Sequence, residues 1–379
     1  MIEYDEGLRK IIKKRISAGY NYLETLRTLY GADPREVWDV FKKFKKECNE
    51  KIGMNNFYHD FPEPHPAFSQ WRLTPQSTIQ IIKKISDKKY DEICFLGCPV
   101  LGLEFGKKNP KKTILLDIDT KILEYAKKFT KVIIYDVNDP VPVHLKNKFE
   151  CVVTDPPWYP DDVKLFIQRA SELAKLGGTI YFSLPCLLTR PSILRERLNL
   201  QKWLSLSNFV ISEIMQIAEY EVPPFEYITY YDIPAFSGET WRRGDWVKLK
   251  KVGKFSIHTK HLQTIRWLEY SINGRRIFLR DKPDDKEQKP KLSFLYNDGS
   301  LILKTVSKRT PLLPKIDIWT SRNAVLHIDA GFHTVKMILD NINQKDEQII
   351  EKIIRETKNS SYKKNYLDAI RDIRALISV

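Results

Sequence analysis

Several features that mark common classes of protein are missing from this chain of 379 residues. The five cysteines include no Cys-x-x-Cys pair, so we expect no zinc site and predict no other metal site. No apolar run approaches the roughly 20 residues that cross a bilayer, and the charged N-terminus has no signal-peptide core. These absences predict a protein of the reducing cytoplasm with no membrane partner.

Charge is distributed unevenly along the chain. The net charge is +15, and residues 241–325 alone hold 20 Lys and Arg against 8 Asp and Glu. Tryptophans are interleaved with these basic residues, a composition that suits phosphate contacts and base stacking. We therefore expect nucleic acid as a partner through residues 241–325, with Arg242 and Arg243 contacting the substrate. Buried aromatic residues beside a solvated lysine face are the alternative interpretation.

The chain changes character at three points. Residues 1–54 have helical apolar spacing and fit either a plain helical cap or a helix-turn-helix, with Asp33-Pro34 beginning one helix. Residues 55–74 form a linker rich in proline and aromatic residues. Residues 75–238 alternate buried-strand and helix patterns, which predicts a Rossmann-like α/β domain with helices on both faces of a parallel sheet. Residues 239–379 are predicted to form a basic α+β module, rich in strands, that ends in helices.

Two turns are predicted within this layout. Residues 209–222 and 225–233 are expected to pair as strands that close the sheet, around Pro223-Pro224. Their many aromatic side chains fit either a pocket wall or ordinary strand packing. In the C-terminal module, Asn297-Asp298-Gly299 predicts a hairpin turn.

The first predicted strand ends in a turn that suits a nucleoside. Gly97 and Gly102 flank this turn and are predicted to contact the methionine part of a cofactor. Asp117 ends the second strand 20 residues after Gly97, where a carboxylate can accept hydrogen bonds from ribose hydroxyls. Asp136 ends the third strand and is predicted to accept from an adenine amino group. Pro99 removes a backbone donor that a pyrophosphate needs, which favours S-adenosylmethionine over NAD.

The segment Asp155-Pro156-Pro157-Trp158-Tyr159 follows the fourth predicted strand at the same edge of the sheet. Asp155 and the carbonyl of Pro156 can accept hydrogen bonds from an amine, and the prolines fix the backbone φ angle. Trp158 offers a face on which a flipped base can stack. We predict Asp155, Pro156 and Trp158 as catalytic residues, and Pro157 and Tyr159 as substrate-binding residues. A stiff exit from the sheet is the alternative explanation for the prolines.

This arrangement resembles class I S-adenosylmethionine-dependent methyltransferases. The residues Asp155-Pro156-Pro157-Trp158 resemble the motif of their amino-methyltransferases, in which an Asp, Asn or Ser precedes two prolines and an aromatic residue. The resemblance implies S-adenosylmethionine as the methyl donor and methylation of adenine N6 or cytosine N4. Some members place their target-recognition module last, as the basic module is placed here.

Residues 61–185 also resemble the branched-chain polyamine synthases, the N4-bis(aminopropyl)spermidine synthase family. The likeness lies in PEPHPAFSQWRLTP, TILLDIDTKILEY, DVNDPVP and KFECVVTDPPW. It implies aminopropyl transfer from decarboxylated S-adenosylmethionine to a polyamine. The chain departs from that family at two positions. The family has an acidic turn after the first strand, whereas this chain has Gly97-Cys98-Pro99-Val100, which contains no acid. The family has no aromatic residue after Asp-Pro-Pro, whereas Trp158 and Tyr159 follow here. These departures favour a flat, neutral or anionic amine over a polycation.

The sequence therefore predicts a Rossmann-like transferase that uses S-adenosylmethionine or its decarboxylated form. N-methylation of a nucleobase amine is the first choice, and aminopropyl transfer to a polyamine is the alternative enzyme. A non-catalytic methyltransferase-like protein that binds nucleic acid is the third interpretation. The acceptor amine, the choice between DNA and RNA, and the oligomeric state are left open.

Overall fold

The computed structural model describes residues 2–44, 61–234, 236, 238, 240–255, 259, 265–283, 285 and 287–379. The chain forms two compact units, each assembled from several separate stretches. The first unit comprises Met1–Pro62, Trp71–Val222 and Ile233–Gln263, and the second comprises Glu63–Gln70, Pro223–Asp232 and Thr264–Val379.

Three helices begin the first unit. They are α1 (Ile2–Ser17), α2 (Tyr22–Thr28) and α3 (Pro34–Phe41). The carboxylate of Asp33 accepts the N–H of Arg35 at 2.8 Å, with Pro34 at the first helical position, which confirms the predicted start of α3. An edge-on contact between the rings of Tyr22 and Trp38 holds α2 against α3. The rest of the predicted helical region, 45–54, and the linker residues 55–60 lie outside the described residues.

The centre of the first unit is a seven-stranded sheet. Its strands are β1 (Ile93–Leu96), β2 (Thr113–Asp117), β3 (Lys131–Ile134), β4 (Phe149–Thr154), β5 (Ala174–Pro185), β6 (Phe209–Glu219) and β7 (Arg243–Lys251). The strand order is β3-β2-β1-β4-β5-β7-β6, with β1 to β5 parallel and β7 antiparallel between β5 and β6. Every residue of β1 and β2 is buried, as near-continuous apolar strands predict. The predicted Rossmann-like sheet is confirmed.

Helices cover both faces of this sheet. They are α4 (Pro75–Ser86), α5 (Pro99–Lys108), α6 (Thr120–Ala126), α7 (Pro160–Leu173) and α8 (Ile193–Leu206). Because successive strand residues point to opposite faces, Phe95 packs in one core with α4, α5 and α6, and Leu96 packs in another with α7 and α8. Val153 and Val152 of β4 divide in the same way. The sheet therefore separates two hydrophobic cores.

The partner of β6 differs from the sequence prediction. Residues 225–233 do not form its pairing strand, because Pro224 begins a short helix, α9 (Pro224–Tyr227), and a proline cannot donate to a strand ladder. β6 pairs instead with β7, whose residues Trp246, Val247 and Leu249 are fully buried. β7 lies beyond the predicted boundary at 238/239, so the division between the units differs from the predicted one.

The second unit contains a five-stranded antiparallel sheet and the C-terminal helices. The strands are β8 (Trp267–Ile272), β9 (Arg275–Arg280), β10 (Lys291–Ser293), β11 (Ile318–Thr320) and β12 (Val325–Ala330), in the order β10-β12-β11-β9-β8. The helices are α10 (Phe332–Asn341), α11 (Asp346–Thr357) and α12 (Lys363–Ser378). This confirms the predicted C-terminal α+β architecture. No helix in the described ranges has the length and apolar character needed to span a bilayer.

The predicted turn at 297–299 is present without its hairpin. The N–H of Gly299 donates to the carbonyl of Tyr296 at 3.1 Å. The flanking strands do not pair across this turn, because β10 pairs with β12 instead.

Part of the predicted linker belongs to the second unit. The buried ring of His65 stacks on Phe278 with 3.6 Å between ring centroids. Its Nδ1 accepts the N–H of Ala67, so Nε2 carries the proton and donates to the carbonyl of Trp319 at 3.0 Å. Burial lowers the pKa of His65 well below its ordinary value, so the ring is neutral. Residues 63–70 are therefore part of a core, where the composition predicts a connector.

Candidate active site

The carboxyl ends of β1, β2 and β4 meet at one edge of the first sheet. Leu96 at the end of β1 is in register with Leu116 on one side and Thr154 on the other. The turns that carry Gly97 and Asp155 follow directly. Between β1 and β4 the direction of strand order reverses, and open α/β sheets bind ligands at such a switch point. The fold thus brings the predicted cofactor turn beside the predicted catalytic motif.

Asp155 takes both of its protein hydrogen bonds on a single oxygen. The hydroxyls of Ser183 on β5 and Tyr220 after β6 donate to Oδ1, the latter at 2.8 Å. Within the described part of the chain, Oδ2 receives no hydrogen bond. One carboxylate oxygen is therefore saturated, and the other retains its capacity to accept.

Burial and hydrogen bonding act in opposite directions on Asp155. Burial raises the pKa of Asp155 to about 6, and the hydrogen bonds from Ser183 and Tyr220 limit the rise. Burial, followed by the charge of Asp155, raises the pKa of the Tyr220 phenol well above its ordinary value. At neutral pH the pair is thus an ionised carboxylate and a neutral phenol. A carboxylate with this pKa suits a general base.

The side chain of Trp158 is held from several directions. Its Nε1 donates to Ser183 Oγ at 3.0 Å, and its ring meets Tyr220 edge-on, with centroids 5.2 Å apart. Arg190 donates to the carbonyl of Trp158 at 2.5 Å. At Gly244 a Cβ would lie 2.7 Å from the indole ring, so the glycine leaves room for it. These contacts therefore fix the position of the Trp158 side chain beside Asp155.

The two predicted substrate arginines have different surroundings. The guanidinium of Arg242 lies over the ring of Trp158 at 5.5 Å and over those of Trp71 and Trp241 at 4.3 and 4.9 Å. Arg243 is paired with Glu219, with 2.7 Å between Nε and Oε1. Arg242 thus lies close to Trp158 of the Asp155–Tyr159 motif, whereas Arg243 forms an ion pair with the last residue of β6.

The remaining motif residues connect β4 to α7. Pro156 is buried, and Pro157 and Tyr159 are partly exposed. The N–H of Tyr159 donates to the carbonyl of Pro157 at 2.8 Å, which makes a tight turn before α7. All five residues of the predicted motif therefore lie at the switch point.

The two predicted cofactor glycines lie in different places. Gly97 has a φ of +61°, and a Cβ there would lie 2.5 Å from the ring of Phe166. It forms the turn at the edge of the sheet, as predicted. Gly102 lies inside α5, where a Cβ would come within 3.0 Å of Phe95 and Leu115. Its small size lets α5 approach the strands, which differs from the predicted contact with methionine.

Carboxylates suited to an adenosine group follow β2 and β3. Asp117 is buried at the end of β2, with the N–H of Asp119 donating to Oδ1 at 2.9 Å. Asp119 itself caps α6 and accepts the N–H groups of Lys121 and Ile122. Asp136 accepts both donors of Asn138 on Oδ1, and none of the described residues donates to its Oδ2. Ribose hydroxyls and an adenine amino group are donors, so these acceptors fit the adenosine part of an S-adenosyl donor.

The turn between β1 and α5 is neutral. Cys98 is buried and donates from Sγ to the carbonyl of Val153 at 3.2 Å. Burial raises the pKa of this thiol well above its ordinary value, so it is uncharged. The first turn of α5 has no acidic residue.

Comparison with known proteins gives a family match for the part of the chain that holds β1 to β6 of the first sheet. Residues 52–235 match the model of the branched-chain polyamine synthase A C-terminal domain. An uncharacterized protein of Methanocaldococcus jannaschii is 34% identical over 206 residues, which cover 48% of this chain and 50% of that protein. The N(4)-bis(aminopropyl)spermidine synthase of Thermococcus kodakarensis is 25% identical over 174 residues, which cover 41% and 45%. This chain spans about half the length of the curated relatives it matches.

Solved structures show the same fold. The branched-chain polyamine synthase of Thermus thermophilus, in complex with N4-aminopropylspermidine and 5'-methylthioadenosine, aligns over 68% of this chain and 96% of its own. The TM-score is 0.50 at 17% identity, and its C9 mutein gives 0.52 at 16%. These comparisons confirm the Rossmann-like fold and the predicted resemblance to the polyamine synthase family. The motif-based resemblance to amino-methyltransferases stays a prediction.

Three residues of the site were not predicted from the sequence. Ser183 and Tyr220 bind Asp155, and Arg190 holds the backbone of Trp158. Ser183 in GTIYFSLP is a usable signal, since it places a hydroxyl near the carboxyl end of a buried strand. Tyr220 belongs to the aromatic-rich stretch that fits either a pocket wall or ordinary packing, and its bond to Asp155 places this one residue at the site.

The tryptophans of the basic segment are mostly structural. Trp241, Trp246 and Trp319 are buried, and Trp267 is partly exposed. This favours the burial interpretation of the aromatic pattern over base stacking. Among the described residues, no group of three or more His, Cys, Asp or Glu has an arrangement that could hold a metal.

Proposed function

We propose that the protein transfers an alkyl group from an S-adenosyl sulfonium donor to an amine, and that this group is the aminopropyl group of decarboxylated S-adenosylmethionine. The observation that carries the proposal is Asp155, whose Oδ1 is saturated while Oδ2 can accept from an incoming amine. The family match of residues 52–235 and the similarity to two N(4)-bis(aminopropyl)spermidine synthases support the aminopropyl group over methyl.

The residues of the chain have separate tasks in this reaction. The turn at Gly97 and the carboxylates of Asp117 and Asp136 would hold the donor. When bound, such a donor supplies an electrophilic carbon whose bond to sulfur breaks as a thioether leaves. Asp155 Oδ2 accepts the amine N–H and takes the proton that the nitrogen must lose. Its pKa of about 6 leaves it ionised, and able to do so, at neutral pH.

Methyl transfer from S-adenosylmethionine to a nucleobase amine is the second candidate. The neutral turn at Cys98 favours it, because no acid there repels the carboxylate of S-adenosylmethionine. The guanidinium of Arg242 over Trp158 also suits an acceptor that carries phosphate. In this candidate nucleic acid is the partner, and the basic composition of residues 241–325 supports that proposal.

A donor comparison distinguishes the candidates. Calorimetry measures binding of S-adenosylmethionine and of its decarboxylated form to the full chain, and mass spectrometry follows transfer to spermidine or to oligonucleotides. We expect the decarboxylated donor to bind more tightly and spermidine to gain the mass of an aminopropyl group. Tight binding of S-adenosylmethionine with methylation of an oligonucleotide would establish the second candidate instead.

A third outcome would contradict both candidates. If neither donor binds while oligonucleotides do, the protein is a non-catalytic member of the fold that binds nucleic acid. Asp155→Asn should lower transfer, and Asp161→Asn, at an exposed position on α7, is its control. Both variants should bind the donor as the unmodified protein does.

A further inference from the structure

The indole N–H of Trp158 fixes the direction of a hydrogen-bond chain. Trp158 Nε1 lies 3.0 Å from the hydroxyl oxygen of Ser183, and an indole nitrogen can only donate. Ser183 must therefore accept this bond. Its single proton is left for another acceptor, and of the two within reach, Asp155 Oδ1 and the Tyr220 hydroxyl, the carboxylate oxygen is the charged and stronger one.

Two donors consequently converge on one oxygen of Asp155. Ser183 supplies one, and Tyr220 supplies the other at 2.8 Å. The hydroxyl of Ser183 cannot rotate without breaking its bond to the indole or its bond to the carboxylate. This arrangement fixes the carboxylate plane and leaves Oδ2 as the oxygen for the acceptor amine.

The ring of Trp158 has little freedom to rearrange. The backbone at Gly244 lies against its six-membered ring, Tyr220 meets it edge-on, and Arg190 binds its carbonyl. A base that stacks on a tryptophan needs an open face, whereas a residue that orients its neighbours needs a fixed ring. The surroundings of Trp158 match the second requirement.

We infer that Trp158 is a positioning residue, which acts through Ser183 to direct Oδ2 of Asp155 toward the acceptor amine. The inference rests on the proposed function, since it assigns Asp155 as the group that receives the proton. It differs from the predicted stacking role, in which the indole face touches the substrate.

The ionisation of Asp155 should report on this hydrogen-bond chain. The bonds from Ser183 and Tyr220 favour the charged carboxylate, so weakening them raises the pKa of Asp155. The titratable or charged groups that face this region from neighbouring elements are Tyr220 after β6, Cys98 after β1, Asp117 on β2 and Arg242 before β7. None of these groups is altered in the variants below.

Trp158→Phe separates positioning from stacking, because phenylalanine keeps an aromatic ring and removes the N–H. Trp203→Phe on α8, where the ring packs on Phe255, is the matched control. We expect Trp158→Phe to lower kcat about tenfold, the loss of roughly one hydrogen bond. The acidic limb of its pH–rate profile should move to higher pH, with KM for the amine nearly unchanged. If the indole acted by stacking, the retained ring would leave kcat and the pH profile nearly unchanged, and that result would overturn the inference.

Titration of the Asp155 carboxyl by carbon NMR, in protein without ligand, provides a readout that needs no activity. Trp158→Phe and Ser183→Ala should both raise the pKa of Asp155 above that of the unmodified protein, and Trp203→Phe should not. Equal pKa values in all four proteins would overturn the inference. If the unmodified protein transfers nothing from either donor, the proposed function fails, and the titration still decides whether Trp158 orients Ser183.

Discussion

Asp155 leaves Oδ2 for the acceptor amine, and two kinds of amine would use this oxygen in different ways. An alkylammonium must lose a proton before its nitrogen can attack, so it needs a base. An exocyclic nucleobase amine is already neutral, and an acceptor oxygen is enough to orient it. The same residue can therefore serve either candidate reaction. Its Oδ2 must take a proton from an alkylammonium, but need only accept a hydrogen bond from a nucleobase amine.

Asp155→Asn tests whether Oδ2 acts as a proton acceptor or only as a hydrogen-bond acceptor. The amide oxygen can still accept from Ser183 and Tyr220, but the side chain cannot take a proton. Transfer to an alkylamine should fall roughly 100- to 10,000-fold, the usual contribution of a general base. Transfer to a nucleobase amine should fall only about tenfold, because the amide NH2 takes the place of Oδ2 and one hydrogen bond to the amine is lost. The measurement is kcat/KM with the active donor, beside Asp161→Asn, and an alkylamine activity that survives in Asp155→Asn would mean that another group takes the proton.

The sequence predicts some residues of the site better than others. Asp155 and Gly97 stand next to strand ends, so local pattern is enough to place them at the edge of the sheet. Ser183 and Tyr220 reach Asp155 from 28 and 65 residues away along the chain. Their contribution depends on strand order, which local patterns do not specify.

At the scale of elements, the inner strands were predictable and the far edge of the sheet was not. Continuous apolar runs identify β1, β2, β4 and β5, because such strands are buried on both faces. β7 carries lysines at alternate positions, and its insertion between β5 and β6 depends on a pairing across distant sequence. Because of these charged residues, its sequence pattern predicts a strand of the basic module.

The turn that joins β1 to α5 gives a prediction at this scale. Gly97 and Gly177 both have positive φ, but only Gly97 has a neighbour within reach of a Cβ, the ring of Phe166 at 2.5 Å. Gly177→Ala should cost about 1 kcal/mol in the free energy of unfolding, from backbone strain alone. Gly97→Ala should cost about 3 kcal/mol, because Phe166 must also move. Chemical denaturation measures both, and equal losses would show that the contact with Phe166 is unimportant.

At the scale of the whole molecule, the predicted division into consecutive segments was too simple. Composition places a linker at 55–74 and a boundary at 238/239, whereas Glu63–Gln70 and Pro223–Asp232 belong to the same unit as the C-terminal residues. Proline-rich composition predicts a connector but does not reveal that His65 fills a core position. The contacts of His65 with Phe278 and Trp319 join residues more than 200 positions apart, and local sequence patterns do not reveal such pairings.

His65→Ala tests this assignment. The change removes a buried ring from between Phe278 and Trp319 and leaves the carbonyl of Trp319 without its donor. We expect a loss of about 3 kcal/mol in the free energy of unfolding of the second unit. His144→Ala, at an exposed position of the first unit, should leave the free energy of unfolding of the second unit unchanged to within about 0.5 kcal/mol. The measurement is chemical denaturation of both variants, and equal stability would mean that residues 63–70 are only a connector.

The division of the chain also bears on the order in which the protein is made. The chain passes between the two units five times, and the second unit combines Glu63–Gln70 with strands that begin after Thr264. During synthesis the ring of His65 leaves the ribosome long before the strands that bury it. The second unit can therefore complete its core only after the residues that follow Thr264 have been made, and until then this early segment lacks the strands it packs on.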